Sequence, residues 1–155
     1  MYIARVNSKE YIPSTLNAEL NQDCRIIPMI HYTNIQIKNE SMNELPTYQT
    51  VGSSGMDLMA HTKESIVIPP KEWKIIPTGI KIALPSGVEA QIRPRSGLAA
   101  RQGVTVLNSP GTIDSDYRGE IKVMLMNNSD KPVEIENGDR IAQMVLAEYI
   151  KANWK

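Results

Sequence analysis

The sequence predicts an all-β domain, a sandwich or barrel of many short strands that carries one short helix. Three observations lead there. Nineteen Ile and nine Val with no Phe weight the apolar content toward β-branched residues, which suit a pleated surface better than a helix. The ten Pro and nine Gly fall mostly between short apolar stretches, so turns punctuate the chain about every eight to twelve residues. Only the stretch 96–102 is rich in helix formers.

Taken in order, residues 1–28 are polar and weakly periodic, with Pro13 and several Asn but no evident core face, and read as an N-terminal extension. The core is expected over 29–147 of a single domain. Thr33-Asn34-Ile35-Gln36-Ile37-Lys38 alternates as a half-buried strand does. Ser53-Ser54-Gly55 is a turn that enters a strand at Met56-Asp57-Leu58. Ser65–Ile68 stops at Pro69-Pro70, Trp73–Pro77 follows, and Gly79–Leu84 stops at Pro85-Ser86-Gly87. Val88–Arg93 alternates. Ser96–Gln102 begins after Pro94-Arg95 with Ser96 as the expected cap and ends at Gly103, a two-turn helix. Pro110-Gly111 suits the central pair of a type II turn, so the flanking residues are expected to fold back as a hairpin that projects Asn108. Gly119–Met126 and Pro132–Ile135 are further strands. Ile141–Ala147 is nearly all apolar and is expected to be buried on both faces or at a subunit contact.

Seventeen Lys+Arg balance seventeen Asp+Glu. With no excess positive field, direct nucleic-acid binding is not expected as the main activity, and any phosphate contact must be local. No apolar run reaches the roughly 20 residues of a membrane span, and Met1–Glu10 lacks the charge-then-apolar order of a leader, so a cytoplasmic protein with no membrane contact is expected. One cysteine, Cys24, excludes a disulfide within the chain and a cysteine zinc site, and two histidines make a histidine-built metal site a poor expectation.

Four constellations carry chemistry, each with a plainer alternative. Asp57 follows a Gly turn, as many capping carboxylates do. Arg93-Pro94-Arg95-Ser96-Gly97 brings guanidinium, hydroxyl and helix N-terminal amides together, which matches phosphate oxygens and equally describes a solvated basic face. In the stretch 104–120, Asn108 and free backbone groups can read the edge of a base. Asp114 and Asp116 are expected on one face of the returning strand, where a carboxylate in a cleft can take a proton from water; the alternative is a hairpin with polar decoration. In Glu136–Val145 a tight turn enters a buried strand, and Arg140 and Gln143 need partners there.

In this order the four blocks resemble the trimeric dUTP diphosphatase (dUTPase) family, over the chain from about Leu45 to Val145. The residues that carry the resemblance are Pro-Arg-Ser-Gly-Leu-Ala at 94–99, Gly-Thr-Ile-Asp-Ser-Asp-Tyr-Arg-Gly at 111–119 and Gly-Asp-Arg-Ile-Ala-Gln at 138–143. The resemblance implies a jelly-roll-like barrel or sandwich that forms a homotrimer with active sites between subunits. It implies hydrolysis of dUTP to dUMP and diphosphate with Mg²⁺, which keeps uracil out of DNA and supplies dUMP for thymidylate synthesis. By the same resemblance Asp114 is the base that deprotonates the attacking water, and Tyr117 packs on the deoxyribose and excludes a 2′-hydroxyl. Asn108 and the backbone around it recognise uracil. Arg95, Ser96 and Gly97 hold phosphate oxygens, Gln143 contacts the phosphate chain from another subunit, and Gly111, Thr112, Ile113 and Lys122 complete the substrate contacts. Asp57 meets the Mg²⁺ shell through water, steadied by Arg140. Mg²⁺ prefers phosphate and water ligands, so no histidine or cysteine cluster is required.

The family's fifth block, a glycine-rich C-terminal arm with an arginine and an aromatic residue, is not found in 148–155, which reads as the start of such an arm. An arm removed or mobile is the expectation, together with a chain that trimerises and binds nucleotide but turns over slowly. Two other readings compete. A dCTP deaminase-like enzyme on the same fold would release ammonia from dCTP, and a non-catalytic nucleotide-binding regulatory module would hold dUTP without releasing diphosphate.

Overall fold

Short alternating segments need a second layer to cover their apolar faces, and the computed structural model, which describes Tyr32–Lys155, shows how they find it. Residues 1–31, and with them the expected extension 1–28, lie outside the described residues. Eleven strands and one helix make up the described part: β1 (Gln36–Asn39), β2 (Gly55–Met59), β3 (Ile66–Ile68), β4 (Trp73–Pro77), β5 (Ile80–Ala83), β6 (Val88–Arg93), α1 (Ser96–Gln102), β7 (Val104–Val106), β8 (Gly111–Ile113), β9 (Lys122–Asn127), β10 (Val133–Ile135) and β11 (Arg140–Glu148). All named pairings are antiparallel.

A four-stranded sheet runs in the order β2-β11-β6-β8, a three-stranded sheet in the order β4-β9-β7, and β1-β5 and β10-β3 form two smaller pairs. The first sheet contributes Leu58, Ala90, Ile92, Ala142 and Met144 to the core. The second contributes Ile76, Val104, Val106, Val123 and Leu125, and all ten lie in one hydrophobic cluster. This is the all-β jelly-roll-like fold that the sequence and its resemblance led us to expect.

The period of two fixes the other face as well. With Ala142 and Met144 inward, Gln143 and Val145 point out of β11; with Ala90 and Ile92 inward, Gln91 and Arg93 point out of β6. The register places Asp57, Gln143 and Arg93 side by side across three strands, and a bulge between Arg140 and Ala142 re-aims the start of β11. The apolar run 141–147 is therefore the sheet's interior strand, paired on both edges.

The structure corrects five expectations. β7 and β8 are not hairpin partners: β7 pairs with β9 and β8 with β6, so residues 107–110 cross from one sheet to the other. Gly111 lacks the positive φ that a type II turn demands and is instead the first residue of β8. β8 ends at Ile113, and the Tyr117 amide donates to the Asp114 carbonyl (3.1 Å), so Asp114 and Asp116 sit in a turn and not on one face of a strand. Ser96 is the first helical residue: Arg95 holds the cap position with no side-chain cap bond, because its side chain is committed elsewhere. The expected strand from Gly119 begins only at Lys122. The C-terminal stop is as expected, with Gly103 left-handed at φ 68° and its amide on the Ala99 carbonyl at 2.9 Å.

Candidate active site

Two clefts open on the outer face of the four-stranded sheet, of about 530 Å³ and about 470 Å³. The larger is bordered by the segment 49–55, Asp57, Arg95, Ser96, Gly97, Arg140 and Gln143. The smaller is bordered by Gln91, Arg93, Pro94, Ser96, Ser109, Pro110 and Gln143. Ser96 and Gln143 belong to both, so one hydroxyl and one carboxamide stand on the ridge where the clefts meet.

Asp57 is buried although it lies on the outer face, because two guanidiniums cover it. Arg95 comes off the end of β6, crosses β11 and donates from Nε to Asp57 Oδ1 at 2.7 Å and from Nη2 to Oδ2 at 3.4 Å. On its way Nη1 donates to the Arg140 carbonyl at 3.1 Å. Arg140 Nη1 reaches Asp57 Oδ2 at 3.3 Å. One carboxylate against two guanidiniums leaves the cleft with one positive charge to spare, which suits an anion. Gln143 Nε2 donates to the Pro94 carbonyl at 2.8 Å and pins the elbow that carries Arg95 and Ser96. These bonds are the partners that Arg140 and Gln143 were expected to need, while the neighbouring Asp139 caps its own turn by accepting the Glu136 amide at 2.8 Å.

The second group of predicted residues lies at the far edge of the sheet. The Asn108 carboxamide lies over Gly111, whose missing Cβ would fall 3.1 Å from Asn108 Nδ2. Tyr117 folds its phenol over Gly119 and donates to the Glu120 carbonyl at 3.0 Å. Thr112 is exposed opposite Gln91, Ile113 is half-buried against the core, and Asp114 is exposed. Lys122 opens β9 beside Glu120 (3.7 Å) and lines neither cleft.

Of the predicted set, one chain thus unites Asp57, Arg95, Ser96, Gly97, Arg140 and Gln143 around the larger cleft, and separately sets Asn108 on Gly111; Tyr117 contacts neither group. The smaller cleft joins Ser96 and Gln143 to Ser109 and Pro110, between Asn108 and Gly111. Asp57 and Asp114 are separated by three inter-strand spacings, roughly 14 Å, and by four residues along the strands, roughly 13 Å, or about 19 Å in all. Sequence reasoning missed Arg95 as the main partner of Asp57, and missed the lining roles of Gln91 and Arg93. The signal for the latter was present, since period-two alternation puts both on the same outward face as Gln143.

Among the described residues no group of three or more His, Cys, Asp or Glu side chains is placed to hold a metal. Both oxygens of Asp57 already accept from arginine. This donor set does not build a metal cage, but it fits a hard cation that arrives with its own phosphate and water ligands, which Asp57 would meet through water. No helix among the described residues is long and apolar enough to cross a membrane.

The dUTPase family profile matches residues 42–154, which include every residue of both groups. The chain belongs to the dUTPase family. A deoxyuridine 5′-triphosphate nucleotidohydrolase of Cytophaga hutchinsonii is 55% identical over 122 residues, covering 79% of each chain. One from the Wolbachia of Brugia malayi is 61% identical over 110 residues, covering 71% of this chain and 70% of the relative. Among solved structures, a dUTPase of the S. aureus phage phi11, described for its coordination of a structural Mg(II) ion, has a TM-score of 0.71 at 20% identity. That match covers 79% of this chain and 95% of that one. At this identity the likeness speaks for the dUTPase fold alone.

Proposed function

We propose that this chain hydrolyses dUTP to dUMP and diphosphate in a Mg²⁺-dependent reaction, at sites that neighbouring copies complete in a homotrimer. Family membership and relatives above 50% identity that are named for this reaction support the activity. A solved relative, the bacteriophage 80alpha dUTPase, was studied with dUpNHpp, in keeping with a deoxyuridine nucleotide as the ligand class. The product dUMP feeds thymidylate synthesis, and removal of dUTP keeps uracil out of DNA. A cytoplasmic location accords with that role.

The composite reading is supported by the placement of Asp57 on β2 and of Asp114 just beyond β8, the two opposite edge strands of the sheet. A base acts within hydrogen-bond reach of the water it deprotonates, and the phosphates of one nucleotide lie side by side. One chain therefore offers its arginine-lined cleft to one nucleotide and its Asp114 turn to another. A heterologous contact of this kind gives a ring where its rotation closes, and the family resemblance supplies the number three, and with it three complete sites.

Within such a site Ser96, Gly97 and Gln143 bind phosphate oxygens, and Arg95, held on Asp57, keeps the elbow and its positive charge in place. Asn108, seated on Gly111, reads uracil together with the backbone of 108–113. Cytosine is rejected because its amine presents a donor where uracil presents an acceptor. Tyr117 stacks against the deoxyribose, with Thr112, Ile113 and Lys122 around it. Asp114 takes the proton of a water whose oxygen attacks the α-phosphorus; the bond from that phosphorus to the bridging oxygen breaks, and diphosphate leaves. Asp57 would meet a Mg²⁺ ion through water, and the ion, when bound, would offset the charge on the phosphates.

The test is Mg²⁺-dependent diphosphate release from dUTP beside dCTP, dTTP and UTP on protein of verified mass, with sedimentation to count subunits. Release from dUTP alone by a trimer is expected. Ammonia from dCTP would replace this reading with a deaminase, and dUTP binding without turnover would replace it with a regulatory module. A fully active monomer would overturn the composite site.

A further inference from the structure

Beyond these residues, we propose that Tyr149 is a positioning residue for Asp114, acting through Ser115; the inference rests on the reading of Asp114 as the base. β11 ends at Glu148, opposite Val88 on β6. The next residue adds one more rung, with the Tyr149 amide donating to the Gly87 carbonyl at 3.1 Å, so its backbone is fixed at the end of the sheet's central strand. Tyr149 is half-buried, whereas Ile150 beyond it is 99% exposed. Its hydroxyl lies 3.3 Å from Ser115 Oγ, 34 residues earlier, and either hydroxyl can donate.

The turn that Tyr149 meets has little else to hold it. β8 stops at Ile113, and the Asp114 carboxylate makes no hydrogen bond among the described residues. Ser115 is gripped locally through its carbonyl, which accepts from Arg118 Nη1 at 2.7 Å. Among the described residues, the Tyr149 contact is the one side-chain hydrogen bond that ties residues 114–118 to a distant part of the fold. The Tyr149 phenol titrates below its ordinary range, first because of the Ser115 bond, then a backbone hydrogen bond from Gly87 and the Lys151 ammonium, while burial and the Asp114 carboxylate push the other way.

A contact of 3.3 Å is long for two hydroxyls and holds loosely in the free chain; such bonds tighten when substrate arrives. A base must be aimed to a fraction of an ångström, and a displacement of about 1 Å costs on the order of a hundredfold, so a tie one residue from the carboxylate acts on rate more than on binding. Because Tyr149 reaches the turn only through Ser115 and lines neither cleft, its loss is expected in rate and not in nucleotide affinity.

Tyr149→Phe keeps the ring and the backbone rung and removes only the hydroxyl. It is expected to lower kcat for dUTP about three- to tenfold, the range of one net hydrogen bond, with KM within about twofold. Ser115→Ala should do the same, and the double variant should be no slower than either single one. Amide exchange at 114–117 should quicken in Tyr149→Phe without a drop in Tm beyond a few degrees. Unchanged kcat in Tyr149→Phe, or losses that multiply in the double variant, would overturn the tie. Asp114→Asn run alongside separates the two failures, since a retained rate there removes the base assignment on which the tie depends.

Discussion

Gln143 occupies the space that a side chain at Gly55 would need. The two lie on neighbouring strands, and a Cβ built on Gly55 would fall 2.5 Å from Gln143 Oε1. Gly55 is thus the absence that lets the Gln143 amide reach across to the Pro94 carbonyl and stand on the ridge between the two clefts.

Gly55→Ala is expected to push the carboxamide off Pro94 and loosen the elbow that carries Arg95 and Ser96. The fold should persist, because the displaced group is the end of a flexible side chain on an outer face. Diphosphate release should fall at least about tenfold, with KM for dUTP raised, as steady-state kinetics would read.

Gly119 stands to Tyr117 as Gly55 stands to Gln143: a Cβ there collides with the phenol. Gly119→Ala should swing the ring out of its place and break its bond to the Glu120 carbonyl. The ratio of kcat/KM for dUTP to that for UTP should then drop about tenfold or more, since the ring no longer crowds a 2′-hydroxyl. Measuring the two substrates side by side on the same preparation decides the point.

Asp57 holds two guanidiniums that would otherwise face each other across the cleft. Asp57→Ala leaves both unpaired near the sheet and is expected to cost about 2 kcal/mol, below the full value for a deeply buried pair because Arg140 is half exposed. Denaturant midpoints of the two proteins at equal m-value would read the loss. Higher Mg²⁺ should also be needed for half-maximal rate.

Asn127 is fully buried and fully satisfied. Its Nδ2 donates to the carbonyls of Ile68 (3.0 Å), Pro69 (3.2 Å) and Lys131 (2.8 Å), and its Oδ1 accepts from the Ser129 amide (2.9 Å) and hydroxyl (2.8 Å). Asn127→Ala strands several of these groups and should cost about 3 kcal/mol, or a Tm lower by roughly 6–12 °C in calorimetry. It is a fold variant, so activity per folded molecule should hold.

Glu40 bridges Lys38 at 2.6 Å and Lys81 at 2.8 Å, and these two ammoniums, Lys38 first, hold its carboxyl at about 2. A carboxyl lowered by folding stabilises the native state at any pH above its ordinary value. That contribution fades as pH falls from about 4.5 through about 2. Glu40→Gln should therefore be less stable than the parent at neutral pH, the difference should shrink as pH falls through that window, and added salt should shrink it as well.

The fold class, the exact span of the helix and the strand at Val88–Arg93 were legible in the sequence because each rests on local rules: β-branched content, a glycine stop, a period of two. The composition of both residue groups was also legible, through the resemblance carried by 94–99, 111–119 and 138–143. What the residues could not disclose was which strands become neighbours. Pro110-Gly111 reads locally as a hairpin turn, yet β7 and β8 part to different sheets, with Val104 and Val106 buried in the core and Ile113 packed against it. Arg95 looks like a free phosphate ligand until the register sets Asp57 within its reach. Tyr149 carries no motif at all, and only the closing of β11 on β6 brings it to Ser115. Local sequence determined the elements and their outward chemistry; tertiary pairing, which depends on contacts between residues far apart in the chain, decided that Asp57 and the Asp114 turn stand at opposite edges of the four-stranded sheet.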